Sequence, residues 1–231
     1  MPSVLITGAA KGLGRELAKS FHGYDWDLYL VVRSSESKAS LLNEFPNAHI
    51  IESDVRSLEH EEKVKNWLDD KSIDVLINNA GLGSKGPNLD TATIEQISSV
   101  FETNCLGVFS TVKGAQKALR KSKSALVLNI SSRRGSMAMQ ASGAAKGSGC
   151  SYSYRISKAA QNMLTLCLAD DLEEFGIKVA AIHPGRLLTN MASRDAHMTP
   201  ERSAKLISEL VVSGKINNRD YLCMETGSLP W

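Results

Sequence analysis

Short β-branched apolar runs alternate with longer amphipathic segments along almost the whole chain, at Ser3–Thr7, Asp27–Val32, His49–Glu52, Val75–Asn78, Ala125–Ile130, Lys178–His183 and Tyr221–Met224. That rhythm constrains the fold more than any other feature. Strands separated by helix-length segments run in one direction only if each connection crosses over, and such crossovers cover both faces of a parallel sheet with helices. The expectation is an α/β fold, a doubly wound parallel sheet of about seven strands with helices on both faces. No repeat or Pro-rich linker interrupts the alternation, so residues 1–231 read as one domain; the small-residue stretch Ser142–Ser153 reads as a loop.

Composition narrows the function. The chain has 231 residues, 42% of them hydrophobic, enough for one sizeable core. Its 27 basic and 25 acidic residues are interspersed, so no face carries the field a nucleic acid needs. No apolar run is long enough to span a bilayer and no leader pattern precedes the first strand, which predicts a cytoplasmic protein without a membrane partner. Cys105, Cys150, Cys167 and Cys223 form no CxxC pair and read as free thiols. The five histidines lack ligand spacing, so no metal is expected; His183, at a strand end before Pro184, reads as a packed residue. The sequon at Asn129 falls in a strand and reads as chance, and Trp26 and Trp67 read as packing residues.

The first strand turns into a helical pattern through TGAAKGLG, Thr7 to Gly14. Its glycines, Gly8, Gly12 and Gly14, follow TGxxxGxG spacing and not GxGxxG, with Lys11 and Leu13 inside the turn. A glycine turn leading into a helix N-terminus lets backbone N–H groups approach a pyrophosphate, so a dinucleotide cofactor is expected there. The acidic residue that would bind an unmodified ribose is absent where the second strand ends in Val32, Arg33, Ser34. Arg33 and Lys11 instead offer two cations to a 2′-phosphate, which predicts NADP(H); an NAD-linked enzyme would have to use Glu36.

Tyr154 and Lys158 form a YxxxK pair, which places both side chains on one helical face. A phenol with an ordinary pKa of about 10 transfers protons poorly near neutrality unless an ammonium stabilises its anion. Lys158 could supply that charge. Tyr152 is the weaker candidate because its i+4 neighbour is Ile156.

These motifs, in this order, resemble the short-chain dehydrogenase/reductase family, whose fold is of the Rossmann type. The resemblance is carried by TGAAKGLG, Asp54-Val55, NNAG at Asn78–Gly81, Asn104, the serines at 131 and 132, YxxxK, Pro184-Gly185 and Thr189. It implies that Asp54 and Val55 contact the adenine, that Asn79, Ala80 and Gly81 flank the cofactor, and that Pro184, Gly185 and Thr189 line the nicotinamide pocket. It further implies that Ser132, in preference to Ser131, holds the substrate oxygen, that Tyr154 exchanges its proton, that Lys158 also grips the nicotinamide ribose, and that Asn104 holds a relay water. A helix-cap role is the alternative for Asn104.

SYSYRISKAAQNMLT and the ending GSLPW are similar to the compact carbonyl-reductase-like branch that includes the sniffer and C-factor proteins. The implied activity is NADP(H)-dependent hydride transfer between nicotinamide and a small carbonyl or alcohol, in a homo-oligomer, dimer or tetramer. A cofactor-binding regulator of the same fold and an NAD-linked alcohol dehydrogenase are the competing readings. The segment between Ser132 and Tyr154 is longer than the family usually leaves. We expect Arg133–Ser153 to form a surface loop over the substrate entrance, ordered mainly near its ends, with Met137, Met139 and Gln140 toward the pocket.

Overall fold

In the computed structural model, which describes residues 1–188 and 196–231, the expected strands form as β1 (Ser3–Thr7), β2 (Asp27–Val32), β3 (His49–Glu52), β4 (Val75–Asn78), β5 (Leu126–Ile130), β6 (Lys178–His183) and β7 (Tyr221–Cys223). Helices α1 (Gly12–His22), α2 (Ser35–Glu44), α3 (His60–Trp67), α4 (Ile94–Phe101), α5 (Gly107–Leu119), α6 (Met137–Ala141), α7 (Tyr152–Leu172) and α8 (Pro200–Val212) lie between them. The strand count needs correcting. A two-residue β8 (Gly227–Ser228) pairs antiparallel with β7, so the sheet has eight strands. Such a short strand carries no alternation that a sequence pattern could register. Strands β5 and β7 are each one residue shorter than their apolar runs, since burial continues past the ladder at Ala125.

Strand order is β3-β2-β1-β4-β5-β6-β7-β8, parallel throughout except at β8. The chain winds outward from β1 to β3, then crosses back to β4 on the other side of β1. The crevice for a ligand therefore opens at the carboxyl ends of β1 and β4, where the order reverses. Period-2 alternation divides the core. Val4 and Ile6 face Leu17 and Phe21 of α1 and Ile207 of α8, while Leu5 faces Val64 of α3 and Val112 of α5. Trp26 packs on Phe21 and Trp67 on Tyr29, as expected of packing residues.

The segment before α7 is ordered near its ends, as expected, and its first part is helical. Residues Arg133–Gly135 form a 3-10 turn, Met137–Ala141 form α6, and Tyr152 and Ser153 already belong to α7. Side chains explain this order: the Ser136 hydroxyl accepts from Met139 N, and Ser151 accepts from Tyr154 N at the start of α7. Only the Gly-rich stretch 142–149 keeps the turn character read from composition, with Gly143, Gly147 and Gly149 at positive φ.

One buried polar link ties the end of β3 to α3 and α5. His60 is fully buried, its Nδ1 paired with Ser53 Oγ at 2.8 Å and its Nε2 with Thr111 Oγ1 at 2.9 Å. Burial pushes its pKa down to about 4. The folded protein holds His60 neutral while the unfolded chain protonates it below its ordinary value of about 6.5, so stability is full above that pH and falls as the pH drops toward 4. We expect His60 to cost about 2 kcal/mol of stability between pH 7 and pH 5. Chemical denaturation of wild type and His60→Gln at both pH values checks this: the variant should lose less stability on acidification, and equal losses would refute it.

Candidate active site

The glycine turn is built by strand ends that hold it from both sides. Gly8 has φ of +68° and donates its N–H to Val31 O at 3.0 Å, fixing the turn to the end of β2. On the other side Asn79 Nδ2 donates to Thr7 O and Gly8 O, and Thr7 Oγ1 accepts from Asn79 N and Ala80 N. Thr7 is thus the bolt between the turn and the NNAG segment. Its role has no periodic signature in the sequence.

A Cβ at Gly14 would sit 2.4 Å from Gly8 O, so α1 starts against the turn as closely as backbone allows. Lys11 precedes α1 with extended backbone and no side-chain cap, and no acidic residue occupies the first turn of α1. Its N–H groups and positive dipole end remain for an anion, and Leu13 is buried beneath them. The donor set fits a pyrophosphate.

Arg33 follows β2 and, like Lys11, is exposed. Ser34 caps α2 by accepting from Ser37 N, and Glu36 is exposed in the first turn of that helix. The Asp54 carboxylate is held by Arg56 at 2.8 Å, and that guanidinium lowers its pKa. Val55 is buried, and a Cβ on Gly107 would meet it at 2.8 Å. Both residues lie beyond the carboxyl end of β3, at the rim where the adenine was expected.

At the other end of the crevice Tyr154 and Lys158 stand one turn apart on α7. The Tyr154 phenol faces the Ser132 side chain, which acts to lower its pKa, but burial outweighs this and pushes the pKa up to about 12. Lys158 is buried, and its ammonium donates to Ile130 O at 2.7 Å and to Gln161 Oε1 at 2.9 Å. Desolvation lowers its pKa to about 7. The expected electrostatic support of the phenol by Lys158 needs correcting here, since the ammonium is turned toward those two acceptors, 5.8 Å from the centre of the Tyr154 ring. Loss of water is the leading cause of the shift in both groups.

Ser131 and Ser132 part as strand alternation requires: Ser131 Oγ donates to Asn162 Oδ1 at 2.5 Å, and Ser132 faces Tyr154. Asn104 is not a helix cap. It sits in a π-helical turn, Glu102–Leu106, between α4 and α5, where its amide accepts from Leu82 N at 2.7 Å and donates to Leu82 O and Ser157 Oγ. Asn104 thereby joins the segment that continues from Gly81 to α7, directly beside Lys158. Gln161, fully buried with Nε2 unpaired, escaped the sequence reading although its i+3 spacing from Lys158 could have revealed it.

Pro184 and Gly185 follow β6, with Pro184 O accepting from Ser203 Oγ at 2.6 Å. Thr189 lies outside the described residues. His183 is buried, with no hydrogen-bond partner at Nδ1 or Nε2 and with Nε2 3.9 Å from Glu225 Oε2. It shares ligand-like distances, within 4.8 Å, with Cys223 and Glu225. The Glu225 carboxylate there already accepts from Arg186 at 3.1 Å and lies 2.9 Å from His197 Nε2, so it is not a free ligand. Asn129, at the sequon, is fully buried and donates to Thr165 Oγ1 while accepting from Asn78 Nδ2, which leaves no room for a glycan. No helix among the described residues is long and apolar enough to cross a membrane.

Residues 2–199 match the family model for short chain dehydrogenases. The structure is similar over its whole length to the carbonyl reductase Sniffer of D. melanogaster, with 26% identity, 100% of both chains covered and a TM-score of 0.87. It is also similar to an NADPH-bound carbonyl reductase from chicken fatty liver, with 25% identity, 100% of this chain and 99% of that chain covered and a TM-score of 0.86. A sequence relative, dehydrogenase/reductase SDR family member 7B of Xenopus tropicalis, is 29% identical over 202 residues, or 82% of this chain. The chain spans 62% of that relative's length. The chain belongs to the short-chain dehydrogenase family, on its carbonyl-reductase-like branch.

Proposed function

We propose that the protein is an NADP(H)-dependent oxidoreductase that reduces a small carbonyl substrate or oxidises the corresponding alcohol. The observation that carries this reading is the Ser132–Tyr154 hydroxyl pair, with Lys158 on the same helical face, at the edge of the crevice that begins in the glycine turn. When bound, the nicotinamide supplies or accepts the hydride. In reduction, Ser132 donates a hydrogen bond to the carbonyl oxygen and Tyr154 delivers its proton to that oxygen as charge develops there. Its raised pKa keeps the phenol protonated for that role. Lys158 holds the ribose hydroxyls beside Tyr154, and Asn104 sustains a proton path behind it. When the cofactor is bound, Asp54 and Val55 would hold the adenine, Gly8, Gly12, Leu13 and Gly14 the pyrophosphate, and Asn79, Ala80, Gly81, Pro184, Gly185 and Thr189 the nicotinamide.

Lys11 and Arg33 take the 2′-phosphate, supported by their exposure, Lys11 in the glycine turn and Arg33 just after β2, and by the uncharged end of β2. Charge-assisted hydrogen bonds of this kind contribute about 1.5–3 kcal/mol each. We therefore expect wild type to bind NADPH about a hundredfold more tightly than NADH, and Lys11→Ala/Arg33→Ala to lose most of that preference. Cofactor titrations, together with NADPH oxidation against a panel of quinones, aldehydes and ketones, test the reading. Equal affinity for the two cofactors in wild type would overturn the NADP(H) assignment, and no turnover on any of the panel would favour a regulator.

The proposed homo-oligomer is supported by exposed Leu106, Phe109, Ile156 and Met163 on adjoining helical segments. A cytoplasmic location is supported by free thiols at all four cysteines.

A further inference from the structure

We propose that Tyr221 and Trp231 are positioning residues for the reaction, holding Ser132 at its working distance from Tyr154. The proposal rests on the reading of Ser132 and Tyr154 as reacting groups. Both aromatic residues lie beyond the stretch matched by the family model, residues 2–199.

Ser132 needs such support because of where it stands. Strand β5 ends at Ile130, and Ser131 N makes the last sheet-like bond, to Ile182 O at 2.7 Å. Beyond that point no ladder sets the backbone. Ser132 O accepts from Gly135 N at 2.7 Å, which closes the 3-10 turn, and from the Tyr221 hydroxyl, which reaches across from β7. Tyr221 is 2% exposed, and the side chains of Ser131 and Asn162 act on its hydroxyl from nearby, lowering its pKa against the effect of burial. Asn162 belongs to α7, the helix that carries Tyr154 and Lys158.

Trp231 fixes Tyr221 in turn. The rings stack with centroids 4.8 Å apart and planes 25° apart. Leu229 N donates to Tyr221 O at 2.8 Å, folding the C-terminal segment back over β7. That segment then clamps the residues after Ser132: Ser136 Oγ donates to Pro230 O at 2.6 Å, and Ala138 N to Trp231 O at 2.9 Å. On the opposite side Gly135 lies so close to the Lys158 backbone that a Cβ would meet it at 2.6 Å. The turn is therefore held between α7 and the aromatic pair. Within it Ser132 Oγ accepts from Arg134 N at 3.2 Å, which occupies one lone pair and leaves the hydroxyl proton to donate.

A displacement of about 1 Å in a positioned catalytic group can cost on the order of a hundredfold in rate. Tyr221→Phe keeps the stack and leaves Ser132 O bonded to Gly135 N, so it should fold normally while loosening Ser132. We expect kcat to fall about tenfold with substrate KM changed less than about threefold and NADPH affinity unchanged. Trp231→Ala should act in the same direction, and Trp231→Phe should restore most of the rate. In a Ser132→Ala background Tyr221→Phe should have no further effect, because its influence passes through Ser132.

Wild-type kcat in Tyr221→Phe, whatever its melting temperature, would make the pair mere packing and overturn the proposal. So would a tenfold loss that persists in full on the Ser132→Ala background. If Ser132→Ala and Tyr154→Phe themselves retain wild-type turnover, the reading of the site fails and the proposal falls with it. If both lose activity while Tyr221→Phe keeps it, only the proposal fails.

Discussion

Tyr154→Phe is expected to lower kcat for carbonyl reduction by about a thousandfold while leaving NADPH affinity within about twofold of wild type. The substitution removes one oxygen and its proton. The ring that lies below Lys158 Nζ at 5.8 Å stays, as do the helix start capped by Ser151 and the glycine turn across the crevice. The hydroxyl faces Ser132, which after the change can still hold a substrate oxygen but cannot complete proton delivery. General acid–base catalysis contributes about 10²–10⁴ in rate, which sets the size of the loss. Folding should change little, because a half-buried phenol returns its desolvation cost when the hydroxyl goes. Single-turnover NADPH oxidation beside a fluorescence titration of NADPH separates the two quantities. A rate within about tenfold of wild type would remove Tyr154 from the chemistry.

What the sequence made legible follows from how local each feature is. The glycine turn could be read because its constraints act over eight consecutive residues: a backbone that must turn, approach an anion and start a helix. Tyr154 and Lys158 could be read because helical spacing places them on one face whatever the rest of the fold does. Apolar rhythm gave all seven longer strands because a strand buried on both faces must be apolar along its length. The features that were missed depend on partners far away in the chain. Thr7 meets Asn79 and Ala80, Asn78 meets Asn129, and Tyr221 meets Ser132. No spacing rule connects residues on different strands.

The wide turn at Glu102–Leu106 is hidden for another reason: it inserts one residue into an otherwise continuous helical pattern, which periodicity over a window averages away. The ordering of Ser136–Ala141 was likewise invisible, since composition reports small, polar residues but not the carbonyls of Pro230 and Trp231 that capture them. Lys158 shows a subtler gap. Helical spacing placed it beside Tyr154 and could also have pointed to Gln161, but only the fold reveals Ile130 O, on another element, as an acceptor of its hydrogen bonds.

Gly14→Ala should weaken NADPH binding by about a hundredfold, while Gly12→Ala should weaken it less than about fivefold. The two glycines belong to one motif but fail for different physical reasons. At Gly12 the added methyl meets nothing within 4 Å; only the φ of +55° opposes it, at a cost of about 1–2 kcal/mol. At Gly14 the methyl would lie 2.4 Å from Gly8 O and 2.5 Å from Asn79 Nδ2. Neither neighbour is a flexible chain end. Gly8 is bound to Val31 O, and Asn79 Nδ2 is engaged by both Thr7 O and Gly8 O. The methyl can be accommodated only if α1 lifts away from the turn. Overpacking of this kind costs about 1–3 kcal/mol in stability. The same movement also draws the first-turn N–H groups of α1 away from the pyrophosphate, and each such group acts through a short, charge-assisted hydrogen bond. Affinity should therefore fall further than stability: calorimetric NADPH titration should register the hundredfold loss in a protein whose melting temperature has dropped by only about 5 °C. Equal effects at Gly12 and Gly14, or NADPH affinity in Gly14→Ala within about threefold of wild type, would show that the close approach of α1 to Gly8 does not form the phosphate site.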